Sequence, residues 1–170
     1  MTGSVLIGII RRGIAAGAAG GIAEVLWIST YTAATGVSAA SLARGVTTAA
    51  GMGTQLAVAP VAAGIVIHMM LAAALGIALA CAWRGLSACR PGGTGAFALV
   101  LPILACVWAI NFFVVLPLIS PAFVALVPYP VSLVSKLLFG VAAAAVLRHH
   151  ARGTDRGIEQ TNLARVGEPR

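Results

Sequence analysis

The sequence predicts an all-α integral membrane protein built as a four-helix bundle. The first observation is composition: 60% of the 170 residues are hydrophobic and only 9% are charged. An ordinary soluble domain carries about 25% charged residues, whereas the mean hydropathy of this chain is +1.01. The second observation is segmentation, because the apolar residues fall into four stretches, most of them near the roughly 20 residues that a helix needs to cross a bilayer. The chain therefore uses lipid as part of its solvent.

The four spans make up one predicted domain, residues 1–150, which we expect to be followed by a flexible tail at 151–170. The tail is polar, holds three of the four acidic residues and lacks a periodic apolar face. The predicted spans lie near 13–32, 60–83, 97–118 and 131–147.

A shorter amphipathic segment lies between the first two spans, at 42–56. Leu42, Val46 and Ala49 recur there at helical spacing, with Arg44 and Thr47 among the opposite, polar residues. The segment is too short and too polar to cross the bilayer, so we interpret it as a helix that lies in the membrane interface.

Arginines flank the spans unevenly, and this asymmetry predicts the orientation of the bundle. In the loops on one side of the spans, Arg44 is the only basic residue. The chain ends and the loop on the other side contain Arg11, Arg12, Arg84, Arg90, Arg148, Arg152 and Arg156. Because cytoplasmic segments retain basic residues, we expect a bacterial inner-membrane protein with both termini in the cytoplasm. The net charge of +7 is then explained by topology, and no nucleic-acid partner is expected.

Each span carries one strongly polar residue: Glu24, His68, Asn111 and Lys136. Each lies six to eight residues from the predicted outer end of its span, which is roughly 9–12 Å at the rise of an α-helix. The four side chains are therefore predicted to share one layer in the outer half of the membrane. Glu24 is the only acid within the spans and Lys136 is the only lysine in the chain, so we expect an ion pair between them.

Several roles for this polar cluster remain open from sequence. The pair could fix helix register alone, with His68 as a structural histidine, or Lys136 could extend towards the interface. Alternatively, the cluster could be a proton-responsive relay, a pocket for a small polar group or quinone head, or a contact with a partner subunit.

Glycines on the spans predict where neighbouring helices approach closely. Glycine lacks a Cβ, so its backbone can contact the backbone of another helix. The candidate packing positions are Gly13, Gly17, Gly20, Gly64 and Gly140. Two prolines, Pro102 and Pro117, are predicted to kink the third span.

No catalytic motif is present, so the chain is predicted to be non-enzymatic, with no catalytic or metal-binding residues and no assigned cofactor. Cys81, Cys89 and Cys106 have neither disulfide-framework nor zinc-ligand spacing. The leading hypothesis is an inner-membrane protein with a pH-responsive polar cluster. The alternatives are an accessory subunit of a respiratory-type complex and a small transporter or channel. Expected partners are the lipid bilayer and either further copies of the chain or a larger membrane complex.

Four short motifs resemble the YagU-like family of small bacterial inner-membrane proteins. They are GIAAGAAGGIAEVLW, IHMMLAAALGIAL, INFFVVLPLISP and SKLLFG, and they fall within residues 11–148. The resemblance implies a four-helix inner-membrane protein connected with acid tolerance, and it implies no reaction. The family pattern has histidine where Asn111 and Lys136 stand in this chain, which argues against a multi-histidine metal site here.

Overall fold

A computed structural model describes residues 3–52, 59–89 and 93–166, with side chains described except at 60, 86–99 and 151–166. Within these residues the chain forms seven α-helices and no strand. The helices are α1 (Gly3–Thr35), α2 (Ala39–Ala49), α3 (Pro60–Cys89), α4 (Gly93–Ile110), α5 (Leu116–Ile119), α6 (Pro121–Leu126) and α7 (Tyr129–Val166). A π-helical turn, Asn111–Val115, joins α4 to α5.

Four segments are long and apolar enough to cross a membrane, which confirms the predicted all-α fold with four spans. They are Gly3–Thr35, Val61–Gly85, Val100–Ile119 and Tyr129–His150. The first helix starts well before the predicted boundary at 13, because residues 3–10 are mostly apolar and the exposed side chains of Arg11 and Arg12 do not interrupt the helix.

Helix α1 is the centre of the bundle. It packs along most of its length against α3 on one side and against α7 on the other, whereas α3 and α7 touch each other only sparingly. Helix α4 packs mainly on α7, and α2 packs on α3 and α6. The end of the bundle where α2 and α6 lie is called the α2–α6 end below. The opposite end, where α1 begins, is called the terminal end.

Helices α1 and α3 meet backbone to backbone at a seam of glycines. A Cβ built on Gly13 would lie 2.5 Å from the Cα of Ile77, and a Cβ on Gly17 would overlap the backbone of Ala72. From the other side, a Cβ on Gly76 would overlap the backbones of Gly13 and Gly17. The seam therefore has no room for any side chain.

The other predicted packing glycines also face neighbouring helices. A Cβ on Gly20 would lie 2.6 Å from the ring of Phe139 in α7, and one on Gly140 would lie 2.6 Å from Leu104 in α4. A Cβ on Gly64 would lie 2.8 Å from Ala43, so a glycine also allows close packing between α2 and α3.

Helix α2 differs from the amphipathic segment predicted at 42–56. It starts after Ser38, whose hydroxyl accepts a hydrogen bond from the amide of Ser41, and it ends at Ala49, just before Gly51 takes a φ of 75°. The prediction that Thr47 lies on the polar face is wrong: it is buried and donates its hydroxyl to the carbonyl of Arg44 at 2.9 Å. This internal bond lets a polar side chain face the bundle. Residues 53–58 lie outside the described residues, and the interfacial position of α2 remains a prediction.

Helix α7 continues past the predicted end of its span at 147 and includes residues 151–166. These residues belong to the segment predicted as a flexible tail, so most of that segment has a helical backbone. Its flexibility remains a prediction, and residues 167–170 lie outside the described part of the chain.

The π-helical turn precedes Pro117, one of the two predicted kink positions. Proline has no amide hydrogen, and its ring clashes with the carbonyl four residues earlier. The wider turn before Pro117 accommodates this interruption, whereas Pro102 lies inside the continuous helix α4.

Replacement by alanine should affect stability differently at a glycine in the seam and at a glycine outside it. Gly76→Ala should lower the unfolding midpoint in detergent, because the added methyl group would overlap the α1 backbone and overpacking costs about 1–3 kcal/mol. Gly8→Ala should leave the midpoint unchanged or raise it, because nothing lies within 4 Å and alanine favours helix. Equal midpoints for the two variants would contradict close packing at the seam.

Candidate functional site

Glu24 is a buried carboxylate at the centre of the bundle, with only 5% of its side chain exposed. It lies one turn along α1 from Gly20 and Gly21. At Gly20 helix α1 is in close contact with α7, and at Gly21 it is in close contact with α3. A Cβ on Gly21 would lie 2.9 Å from both Ala72 and Met69 of α3. The small residues therefore bring both flanking helices within reach of the acid.

Lys136 of α7 occupies one oxygen of this carboxylate. Its Nζ lies 2.8 Å from Glu24 Oε1, and the lysine side chain is 20% exposed. Ser135 donates a long hydrogen bond of 3.5 Å to the same oxygen, and Lys136 Nζ lies 5.2 Å from the centroid of the Phe139 ring. The predicted ion pair is thus present in the structure, and α7 supplies both a charge and a hydroxyl to Glu24.

His68 of α3 faces the other oxygen. Its Nε2 lies 3.5 Å from Glu24 Oε2, and the histidine side chain is 29% exposed. Both atoms are buried, and neither has a hydrogen-bond partner among the described residues. The carboxylate therefore lies between two basic groups: it is in hydrogen-bonding contact with Lys136 and just beyond normal hydrogen-bond length from His68.

Asn111 does not join the other three predicted residues. Trp108 donates its indole N–H to Ser132 Oγ at 2.9 Å, so α4 and α7 are level at that point. Asn111 lies three residues further towards the α2–α6 end, whereas Lys136 lies one turn from Ser132 in the opposite direction. The span itself ends at Ile119, close to the predicted end at 118, so a count from the span end did not give the level of the Asn111 side chain relative to α7.

Two indole hydrogen bonds hold the helices around the cluster. Trp27, three residues from Glu24 on α1, donates to the carbonyl of Val131 in α7 at 3.0 Å. Trp108 connects α4 to α7 through Ser132, whose hydroxyl in turn donates to the carbonyl of Tyr129 at 2.9 Å. The indole of Trp27 is therefore a direct reporter of the α1–α7 contact beside the acid.

Sequence reasoning missed the supporting contacts of Ser135 and Phe139. Both residues are buried on the α7 face that meets α1, where they contact Glu24 and Gly20. Ser132 and Gly140, also buried, lie beside them and contact α4. The small residues at this spacing in α7 were the available signal for Ser135. Nothing in the sequence indicated that a phenylalanine ring would lie beside the ammonium group.

The cluster offers few ligands for a metal ion. Only Glu24 and His68 among its members have metal-binding side chains, and within the described residues no group of three or more His, Cys, Asp or Glu lies together. The arrangement is suited instead to proton chemistry, because a histidine and a carboxylate lie close together without a bond between them.

No family model, curated protein or solved structure matches this chain. The fold and the site therefore define a class only: a multi-pass membrane protein of four spanning helices with a buried acidic group between two basic ones. The resemblance to the YagU-like family remains a prediction.

The ion pair predicts strong coupling between Glu24 and Lys136. Glu24→Gln and Lys136→Met should each lower the stability in detergent, since breaking a buried pair typically costs about 3–5 kcal/mol. The double variant should recover part of the loss, because neither charge is then left alone. The measurement is a double-mutant cycle on the unfolding free energy.

The control pair is Glu24→Gln with Arg44→Gln, because Arg44 is exposed on α2 and bonds to Ser41. These two changes should be additive, as expected for independent sites. Additivity for Glu24 and Lys136 as well would contradict the coupling.

Proposed function

We propose that this multi-pass membrane protein is non-enzymatic and that Glu24, His68 and Lys136 form a pH-responsive element. We further propose that it resides in a bacterial inner membrane with both termini in the cytoplasm, so that the element lies nearer the outer face. The observation that carries the proposal is the pair of buried, unbonded atoms, Glu24 Oε2 and His68 Nε2, 3.5 Å apart.

Protonation of His68 changes the cluster in two ways. It ensures an N–H donor on each ring nitrogen, so that Nε2 can bond to Glu24 Oε2. It also raises the charge of the cluster, because a neutral Glu24–Lys136 pair becomes a group with two cations and one anion. Since an uncompensated charge is costly in the membrane interior, the second cation favours a rearrangement in which Lys136 moves away from Glu24.

The groups that face His68 come from the helices packed against α3. Helix α1 contributes Glu24, and α7 contributes Lys136 through the shared carboxylate. Helix α2 also packs on α3, but the side chain of its one charged residue, Arg44, is exposed and bonds to Ser41. The local charge balance is therefore set by one acid and one lysine, and histidine is the type of side chain in the cluster whose ordinary pKa lies nearest to physiological pH.

Trp27 should report this rearrangement, because its indole joins α1 to α7 one turn from Glu24. In a protein with Trp83→Phe and Trp108→Phe, Trp27 fluorescence should show a transition between about pH 7.5 and 4.5, a window around the ordinary histidine value of about 6.5. His68→Gln should abolish the transition, since glutamine cannot gain a proton in this range.

The matched control is His149→Gln, which removes an exposed histidine of α7 at the terminal end of the bundle. This variant should keep the transition unchanged. Identical curves with and without His68 would refute the pH-responsive role. The cluster would then serve only to fix the register between the helices.

The proposed orientation can be tested separately by cysteine labelling. In a cysteine-free background, Ser4→Cys at the terminal end should react with a membrane-impermeant reagent only after the membrane has been permeabilised. Ala39→Cys at the start of α2 should react in intact cells. Both native side chains are exposed, so access should depend on topology alone. The reverse pattern would place the polar cluster near the cytoplasmic face.

A further inference from the structure

The two basic residues of the polar cluster are more accessible than its acid. The side chains of His68 and Lys136 are 29% and 20% exposed, whereas that of Glu24 is 5% exposed. Both basic groups also point at the carboxylate, with His68 Nε2 3.5 Å from one oxygen and Lys136 Nζ 2.8 Å from the other. A ligand that approaches the cluster would therefore meet basic side chains first.

Lys136 faces the inside of the bundle. Ser132 and Gly140 lie one turn before and one turn after it on the same face of α7, and both contact α4. The opposite face of α7 is the outer one, because Val134 and Val141 are 37% and 47% exposed there. The exposed part of Lys136 therefore lies between the helices and not on the outer surface of α7.

The accessible region around the two basic residues is closed towards the terminal end of the bundle. Phe139, one turn from Lys136 in that direction, is completely buried, and so is Leu104 of α4. Both residues belong to the buried hydrophobic cluster. A region that ends at a packed core is suited to binding a ligand rather than to conducting one through the bundle.

Lys136 has hydrogen-bond donors that the described residues do not use. An ammonium group has three N–H donors and no acceptor. Within the described part of the chain, Glu24 Oε1 is the hydrogen-bonding partner of Lys136, and the Phe139 ring adds a contact at 5.2 Å. The remaining N–H groups can bind an acceptor that comes from outside the bundle.

Protonation of His68 gives the cluster one positive charge in excess, because Glu24 then faces two cations. The other helices beside α3 do not balance this charge. In α2 the charged side chain, Arg44, is exposed, and in the described part of α4 the titratable side chain, Cys106, is exposed as well. The excess charge therefore stays within the cluster.

The other acids of α7 lie far from the cluster. Asp155 and Glu159 follow Lys136 by 19 or more residues on one continuous helix, which is about 28 Å along its axis. Within the described residues, no second carboxylate therefore reaches the protonated cluster, and the balancing charge has to come from outside.

We infer that the cluster binds one small monovalent anion beside Lys136 when His68 is protonated. Protonated His68 can donate to Glu24, and Lys136 can then exchange the carboxylate for the anion. One negative charge restores neutrality, which the membrane interior favours, whereas a divalent anion would leave an excess of negative charge. This inference rests on the proposed function, because it names the ligand of the same site and makes proton uptake and anion binding mutually dependent.

The first experiment follows Trp27 fluorescence against pH in the full chain with Trp83→Phe and Trp108→Phe. Potassium chloride or potassium formate replaces potassium gluconate, a bulky reference anion, at constant ionic strength. Because one anion accompanies one proton, each tenfold increase in chloride or formate above its dissociation constant should raise the midpoint by about one pH unit. A shift with both anions, or with either one, supports the inference; chloride alone would identify a halide, and formate alone a carboxylate.

Direct binding of radioactive chloride gives the second measurement. The native chain should bind chloride about tenfold more tightly at pH 5 than at pH 7.5, since binding requires the proton on His68. Lys136→Met should lose this pH-dependent binding, because protonated His68 and Glu24 then form a neutral pair. Arg44→Gln, which removes an exposed arginine of α2, should bind as the native chain does.

The outcomes separate this inference from the function on which it rests. A fluorescence transition with the same midpoint in all three salts would overturn the anion site and keep the pH response. Equal chloride binding by the native chain at both pH values would also overturn it, even if Lys136→Met fails to fold. A folded Lys136→Met chain that binds chloride as the native chain does would place the anion elsewhere. The absence of a transition in all three salts would instead refute the proposed function itself.

Discussion

The structure depends on how one carboxylate is accommodated inside an apolar bundle. Glu24 is almost completely buried, and an isolated charge in such a place is prohibitively costly. Two helices must therefore approach α1 closely enough to supply compensating groups, and the absence of side chains at Gly20 and Gly21 makes this approach possible. Close packing and charge compensation are consequently one requirement: widening either helix contact would also separate Glu24 from Lys136 or His68.

Much of this arrangement follows from sequence because bilayer thickness and helical periodicity are strong constraints. Counting residues from the span ends placed Glu24, His68 and Lys136 at one depth, and small residues on the same faces indicated where the helices meet. The same counting failed for Asn111, although its span ends at Ile119, close to the predicted end, because a count along one helix does not give its register against a neighbouring helix. It also failed for Thr47, whose hydroxyl is satisfied by its own helix and can therefore be buried. Such local departures from regular geometry leave little trace in composition.

Among the side chains that the structure describes, the charged groups differ between the two ends of the bundle. The acid, the lysine and the partly exposed histidine lie towards the α2–α6 end, whereas the arginines of α1, α3 and α7 lie at the terminal end. Between them lies the buried hydrophobic cluster, which consists mainly of alanine and leucine with Ile9, Trp83, Val100 and Phe139. A change in protonation at one end can therefore reach the other end only through movement of the helices themselves, and α1 is the helix that contacts both flanking spans.

The central position of α1 has a consequence for biogenesis. Ser135 and its neighbour Lys136 are made late, because Ser135 follows Glu24 by 111 residues. At about 5–20 residues per second, a growing chain would hold Glu24 for roughly 5–20 s before its ammonium partner leaves the ribosome. His68 emerges much earlier, on the helix that meets α1 along the glycine seam. During synthesis His68 is therefore the first of the two basic groups of the cluster that Glu24 can meet, and the last helix completes the site when it inserts beside α1.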